Sequence, residues 1–212
     1  MPRLTRKEKQ AHTRFCLMES AARVFTRRGL QQASIDEVAG DAGFTKGAFY
    51  ANFKSKEELF LAMLDERFAQ RIEEIDRVWS SGGDIRDKAR QAGQDFAQYL
   101  SDDEWSRLFF EFAAYAARNE EFRQELVTRY RALRERVADI YSRQKEKMGI
   151  EPAVAPEQVA AMIFAMANGL ALEKLLEPDA VADDAFGTML VAFFSGLGAT
   201  QEAAPTGSES SS

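Results

Sequence analysis

Cysteine and histidine are almost absent from this 212-residue chain, which contains one of each. A single Cys excludes a disulfide framework and a thiolate metal cluster, and a single His excludes sites built from several histidines. The sequence also lacks a Walker-type loop, a dinucleotide-binding glycine pattern and a nucleophile motif. We therefore predict a protein that is not an enzyme and that binds neither a metal ion nor a cofactor.

Proline and glycine are also scarce, with 5 and 13 residues respectively. No segment alternates apolar and polar residues with a period of two, and no Asn-Gly or Asp-Gly hairpin signal occurs. Apolar residues recur instead at helical spacing between capping signals. The sequence predicts an all-α protein of about nine helices, and its 45% hydrophobic content is enough to fill a core.

Long apolar runs are not apparent either. The N-terminus is charged and carries no apolar stretch of the signal-peptide kind, and no run of membrane-spanning length follows it. The expected location is the cytoplasm, with no membrane partner.

The net charge of −6 conceals an uneven distribution. Residues 1–34 contain eight Lys and Arg residues against two Glu, whereas residues 61–212 carry 17 basic and 27 acidic residues. A basic end on an acidic chain suggests a polyanionic partner. The alternative is a solvated basic tail that binds nothing.

Two short helices are predicted between Ser34 and Asn52. Ser34 and Glu37 form a capping-box pattern at the start of the first, and Gly43 lies in the turn, where a positive φ is needed. Val38 and Phe49 are apolar and can pack the pair together. This pattern predicts a helix-turn-helix, whose second helix can enter a DNA major groove. Most short helical connections in all-α proteins bind nothing, so the pattern alone leaves both interpretations open.

The second helix has a composition suited to DNA. Thr45, Lys46 and Gly47 place a hydroxyl, a cation and a residue without a side chain in its first turn, which favours close approach to bases and phosphates. The Tyr50 hydroxyl can face outward because Phe49 faces inward. Polar groups at flanking helix starts add further candidate phosphate contacts from Ser34, Lys54 and Lys56.

The run from Ile35 to Phe60 resembles the DNA-binding domain of the tetracycline-repressor (TetR/AcrR) family, over about residues 12–64. The resemblance implies a dimeric repressor that a small molecule releases from DNA. Asn52 stands where many members have His, and Ala51 where many have a large aromatic residue. With the positions that the resemblance adds, the predicted DNA contacts are Ser34, Thr45, Lys46, Gly47, Ala48, Tyr50, Asn52, Lys54 and Lys56.

The rest of the chain is rich in aromatic residues at helical spacing. Plain core packing explains any one of them, but the group, together with the resemblance, suggests an apolar cavity for a hydrophobic or aromatic effector. Methionines could give that cavity adaptable walls. The predicted pocket residues are Phe96, Trp105, Phe109, Phe112, Tyr115, Tyr130, Met162 and Met166.

The last two predicted helices carry wide apolar faces. Two such helices can pair with their copies across a two-fold axis to form a four-helix interface, although a monomer core is the alternative. The predicted interface residues are Leu170, Phe186, Met189, Leu190, Phe193, Phe194 and Leu197.

These features predict three regions in the chain: a DNA-binding domain over 1–55, an effector-binding and dimerisation domain over 56–200, and a disordered tail over 201–212. A long helix over 56–79 connects the two domains and is the natural lever between effector and DNA. The predicted function is a sequence-specific transcriptional regulator. The alternative is a helical small-molecule-binding protein or enzyme that uses the C-terminal cavity.

Overall fold

The computed structural model describes residues 5–100, 103–147 and 154–202. Short parts of the predicted effector-binding domain, 101–102 and 148–153, and most of the predicted tail lie outside these residues. Within them the chain forms nine α-helices, one 3-10 turn and no strand, which confirms the all-α prediction. The helices are α1 (Arg6–Arg28), α2 (Ile35–Asp41), α3 (Lys46–Tyr50), α4 (Lys56–Ser80), α5 (Ile85–Leu100), α6 (Asp103–Ala116), α7 (Glu120–Lys147), α8 (Pro156–Leu176) and α9 (Ala185–Glu202).

Helix ends are set by local signals that are visible in the sequence. Ser34 and Glu37 form the predicted capping box of α2, and the Asn119 side chain accepts a hydrogen bond from Phe122 N–H at the start of α7. Gly29 and Gly43 both have φ of 75°, a conformation that other residues rarely adopt. These glycines end α1 and form the turn between α2 and α3.

The last helix begins at Ala185, several residues after Pro178. Pro178 opens a 3-10 turn of three residues, and Val181 then adopts an extended conformation. Helix α9 starts only at Ala185, where Thr188 N–H donates to Asp184 C=O. A proline favours the first turn of any helical segment, so it does not reveal how far that segment continues.

The described residues divide into two compact units. The first contains residues 5–71 and 103–131, and the second contains residues 72–100, 132–147 and 154–202. Helices α4 and α7 each contribute residues to both units. The predicted domain boundaries stay a prediction.

The first unit has an aromatic core. The rings of Phe60 on α4 and Phe112 on α6 stack with centroids 3.3 Å apart, and Phe25 on α1 meets Phe112 edge-on at 5.9 Å. All three side chains are fully buried. Helix α2 is fixed to α1 by the buried Ser20 hydroxyl, which donates to Val38 C=O at 2.8 Å. This core supports the helix-turn-helix from below.

The second unit is built on the crossing of α5 and α9. Ala89, Ala92 and Phe96 on α5 pack with Phe186 and Leu190 on α9, and all five are buried. The Phe96 and Phe186 rings lie 4.1 Å apart. Two glycines, Gly93 and Gly187, face each other at the crossing, so the two backbones come into direct contact.

Helix α8 is apolar but largely unburied. Its best 18-residue window has a mean hydropathy of 1.6, and only 11% of that window is buried. By length and composition alone, α8 could cross a membrane, contrary to the expectation from the sequence that no such run exists. A helix whose apolar surface is covered by another subunit has the same length and composition. These two properties are therefore weak evidence that α8 spans a membrane.

Candidate nucleic-acid interface

Helices α2 and α3 form a compact helix-turn-helix. The turn is closed by a hydrogen bond from Phe44 N–H to Ala39 C=O at 2.8 Å, with Gly43 at positive φ. Val38 on α2 and Phe49 on α3 are buried beneath the pair. The local sequence produces this arrangement because two capped helices each contribute one apolar face to the same core.

The first turn of α3 is exposed and polar. The Thr45 side chain caps the helix by accepting from Ala48 N–H at 3.2 Å, which leaves its hydroxyl proton available to donate. Lys46 and Gly47 follow on the exposed surface. A Cβ built on Gly47 would meet only the Thr45 side chain, at 3.7 Å. The open surface at this turn lets another molecule approach the α3 backbone closely.

Lys46 has a carboxylate partner that is not evident from the sequence. Its Nζ lies 2.8 Å from Asp36 Oδ2 on α2, and both side chains are mostly exposed. The hydrogen bond to Asp36 raises the pKa of Lys46. An acidic residue in the first turn of a helix is adequately explained by the helix dipole. The pairing therefore becomes visible only once α2 and α3 are placed side by side.

Asp36→Asn is expected to tighten binding to every DNA duplex by about two- to fivefold, the range for one exposed charge interaction. The substitution frees Lys46 and removes a negative charge next to the proposed DNA-facing turn. Fluorescence anisotropy at one fixed salt concentration, with specific and scrambled duplexes, measures the change. Weaker DNA binding by the variant would contradict this prediction and would indicate that Asp36 positions Lys46.

Tyr50 and Lys54 are exposed as expected. The Tyr50 side chain is 52% exposed and its ring meets the buried Phe49 edge-on at 5.7 Å, which directs it away from the core. Lys54 is exposed, and its ammonium has no ion-pair partner among the residues that the structure describes. Both groups can reach a phosphate without breaking an existing contact.

Three other predicted contacts are occupied within the protein. The Lys56 ammonium donates to Leu30 C=O at 2.6 Å and to Ala33 C=O at 2.7 Å. The Asn52 side-chain nitrogen donates to Ala48 C=O, whereas its buried Oδ1 has no partner among the described residues. The Ser34 hydroxyl donates to the Glu37 carboxylate at 3.1 Å. The structure gives these three residues positions that stabilise the helix-turn-helix.

Much of the basic N-terminal segment is also neutralised locally. Arg23 and Arg27 both pair with Asp41, at 2.6 and 3.2 Å, and Arg28 lies 3.5 Å from Glu37. The hydrogen bond from Arg23 is the main reason that the pKa of Asp41 is lowered. In contrast, the exposed basic residues of the first turns of α1 have no ion pair within the described part of the chain; they are Arg6, Lys7 and Lys9.

The predicted pocket residues are distributed over both units. In the first unit, Trp105 and Phe112 stack on Phe60, and Phe109 stacks on Tyr130 at 6.0 Å, as packed core residues do. Tyr115 lines a cleft of about 360 Å³ between α6 and the α1–α2 connection. In the second unit, Phe96 is a core residue, Met166 packs beside it and Met162 is 45% exposed. The assignment of an effector pocket to these residues stays a prediction.

The predicted interface residues also separate into two groups. Phe186 and Leu190 are 5% and 3% exposed because they pack on α5 within the same chain, so a partner subunit cannot reach them. The remaining residues are only partly buried; they are Leu170, Met189, Phe193, Phe194 and Leu197. The largest exposed apolar side chains of this region lie on α8 and were not predicted for the interface; they are Met162, Leu172 and Leu176.

Two family models match the chain. The model for bacterial regulatory proteins of the tetR family matches residues 17–63, which contain α2 and α3. The model for the C-terminal part of BetI-type transcriptional repressors matches residues 86–199. Together the models cover the proposed DNA-binding surface and most of the remaining helices.

Individual relatives and solved structures agree with these models. The chain is 26% identical to an uncharacterised HTH-type transcriptional regulator, YfiR of Bacillus subtilis, over 79% of this chain and 82% of the relative. It is 27% identical to the nicotine-responsive repressor HdnoR of Paenarthrobacter nicotinovorans, over 76% and 83%. The fold matches Bacillus subtilis FadR, solved with stearoyl-CoA, with a TM-score of 0.72, 17% identity and coverage of 84% and 96%. This protein belongs to the TetR family of bacterial transcriptional regulators and is a DNA-binding protein.

Proposed function

We propose that this protein is a dimeric repressor that reads its operator with α3 and leaves it when a small molecule binds. The observation that carries the DNA-reading part is the exposed turn of Thr45, Lys46 and Gly47 on a helix whose opposite face, at Phe49, is buried. In a helix-turn-helix the N-terminal residues of the second helix contact base edges. Lys46 is therefore proposed to contact bases.

The proposed phosphate contacts surround this turn. Thr45, Tyr50 and Lys54 present a hydroxyl, a phenol and an ammonium on exposed positions. Lys56 is not a proposed phosphate contact, because its ammonium donates hydrogen bonds to two backbone carbonyls. Phosphate contacts set the register of the protein on the duplex and supply the salt-dependent part of the affinity.

Selection of bound duplexes from a random DNA pool tests the proposal. We expect a two-fold symmetric site whose half-sites are about 34–36 Å apart, or a multiple of that spacing, because a dimer presents two α3 helices. Binding should weaken steeply with salt. Enrichment of no sequence would contradict the proposal and would favour the alternative of a helical small-molecule-binding protein.

We propose that α8 forms the subunit interface. Met162, Leu172 and Leu176 are 45%, 41% and 72% exposed, and the helix carries few charges. Such a surface requires cover in a protein that works in the cytoplasm, and closed two-fold pairing is the commonest solution. A second copy of α8 supplies matching apolar chemistry.

Leu172→Arg is expected to raise the dimer dissociation constant at least about 100-fold, because it places a charge in an apolar interface. Analytical ultracentrifugation over a concentration series measures this constant. Gln158→Glu, at an exposed polar position of the same helix, is the control and should leave the dimer intact. A stable dimer of Leu172→Arg would place the interface elsewhere.

Control by a small molecule is supported by the nature of the relatives. One is named nicotine-responsive and another was solved with stearoyl-CoA, two chemically different molecules. Helix α4 begins at Lys56, whose ammonium holds the segment before α2, and it continues without a break to Ser80. We propose that α4 transmits the effect of ligand binding to the spacing of the two α3 helices. A tight effector that left operator affinity unchanged would contradict this.

A further inference from the structure

Two polar side chains on α7, Tyr141 and Lys145, are buried in the second unit, and the Tyr141 hydroxyl lacks the partner that burial normally requires. Tyr141 is 7% exposed, and its hydroxyl makes no hydrogen bond to any described residue. Lys145, one turn later, is 8% exposed. A buried hydroxyl without a partner costs free energy, and native structures rarely leave one unpaired unless it has another use.

The Lys145 side chain is buried, but its ammonium is not one of the buried polar atoms that lack a partner. Its Nζ lies 5.8 Å from the centroid of the Tyr141 ring, a weak cation–π contact, and no described carboxylate pairs with it. On α4, Asp76 is already shared by Arg136 at 2.8 Å and Arg143 at 3.3 Å. An ammonium at the end of a buried stem, with no carboxylate paired to it, is free to bind an anion.

Aromatic rings surround these groups. The Tyr141 ring stacks on Phe194 of α9 with centroids 6.2 Å apart, and Trp79 of α4 meets Phe194 edge-on at 5.5 Å. Gln144 holds the Trp79 backbone by donating to its carbonyl at 2.7 Å. Burial raises the pKa of the Tyr141 phenol, so it remains a neutral hydrogen-bond donor near pH 7. Donor, cation and apolar walls therefore belong to one cluster.

We infer that Tyr141 and Lys145 form the polar end of a subsite for an effector with an apolar body and one carboxylate. The Tyr141 hydroxyl donates to the carboxylate, Lys145 neutralises it, and Trp79 and Phe194 contact the apolar body. This inference rests on the proposed function, because it assigns chemistry to the molecule that controls DNA binding. It adds an ionic group to the purely hydrophobic or aromatic effector expected from the sequence.

The thermal stability of the ligand-free full-length protein gives the first test. Removing an unpartnered buried polar group stabilises a protein, so Tyr141→Phe should raise Tm by about 2–4 °C. Tyr115→Phe is the matched control. Tyr115 donates to Glu57 at 3.3 Å and accepts from Asn119 at 3.0 Å, so its loss should lower Tm. A lower Tm for Tyr141→Phe would overturn the inference, because it would show that the hydroxyl already has a structural partner.

Calorimetric titration with 4-phenylbutyrate and its neutral analogue 4-phenylbutanol gives the second test. We expect the wild type to bind the carboxylate at least about tenfold more tightly than the alcohol, the size of one charge-assisted hydrogen bond. Tyr141→Phe and Lys145→Met should each reduce this preference. Equal affinities, no binding of either probe, or a preference that survives in both variants would each overturn the inference.

DNA binding, measured in parallel, separates this inference from the proposed function. If the wild type selects a DNA site but shows no preference for the carboxylate, the proposed subsite is contradicted and the proposed function as a DNA-binding regulator is supported. If the carboxylate preference depends on Tyr141 and Lys145 but no DNA sequence is selected, the subsite stands and the proposed function is wrong.

Discussion

Gly93→Ala is expected to lower the free energy of unfolding by about 3 kcal/mol, near the upper end of the usual range for overpacking. For a chain of this size, that corresponds to a fall in Tm of about 6–12 °C. This loss of stability is the reverse of the ordinary effect, because replacing Gly with Ala within a helix normally raises the free energy of unfolding by about 1 kcal/mol. A Cβ on Gly93 would lie 2.5 Å from the Gly187 backbone nitrogen, and backbone atoms on both sides cannot rotate away.

Gly187→Ala is the matched control at the same helix crossing. A Cβ there would lie 3.4 Å from the Gly93 Cα and 3.6 Å from the Arg90 backbone, at the tight end of ordinary van der Waals contact. We expect a Tm within a few degrees of the wild type. Differential scanning fluorimetry on both variants measures the contrast. Equal stabilities would show that α5 and α9 separate easily and that the crossing does not fix the second unit.

Lys56→Met is expected to destabilise the protein by about 2–3 kcal/mol, the usual value of hydrogen bonds to a charged group. The Lys56 ammonium donates hydrogen bonds to the carbonyls of Leu30 and Ala33, two buried residues in the segment between α1 and α2. From the other side, the Glu111 carboxylate accepts from Leu30 N–H at 2.5 Å. DNA affinity should also fall, since α2 and α3 lose part of their support. The slope of log K against log salt should stay unchanged, because no phosphate contact is lost.

Lys54→Met, two residues away, is expected to have the opposite effects on stability and on the salt slope from Lys56→Met. Lys54 is exposed, so its replacement should leave stability unchanged and reduce the salt slope by about 0.9, the contribution of one phosphate contact. Urea denaturation and anisotropy titrations at four salt concentrations measure both quantities. A reduced salt slope for Lys56→Met would contradict the structural assignment and restore the DNA contact that the sequence suggests for Lys56.

The parts of the fold that could be predicted are those encoded by neighbouring residues. The capping box of Ser34 and Glu37, the positive φ of Gly43 and the helical period of buried residues all act within a few positions of one another. Side-chain and backbone chemistry at that range is the same in most proteins. The nine helices of the described residues could therefore be predicted. The start of α9 could not, because a proline such as Pro178 is equally favourable in a short 3-10 turn.

The roles of individual side chains depended on contacts between distant residues. Lys56 follows the pattern of a cation at a helix start, yet its ammonium bonds to carbonyls 23 and 26 residues earlier in the chain. Phe186 follows the pattern of an interface residue, yet it packs against Phe96 of α5. Tyr141 has the sequence pattern of a core residue, since an aromatic residue at helical spacing usually fills a core. In each case the partner is set by tertiary packing, which spacing along one helix does not specify.

The central claim is that α3 reads DNA bases, with Lys46 as the residue that discriminates among them. Parallel selections from one random DNA pool, with the wild type and Lys46→Ala, test it most directly. We predict that the wild type enriches a two-fold symmetric site and that the variant loses its preference at one position in each half-site, a change of about 1–3 kcal/mol there. Enrichment of the same site by both proteins, with equal preference at every position, would contradict the claim.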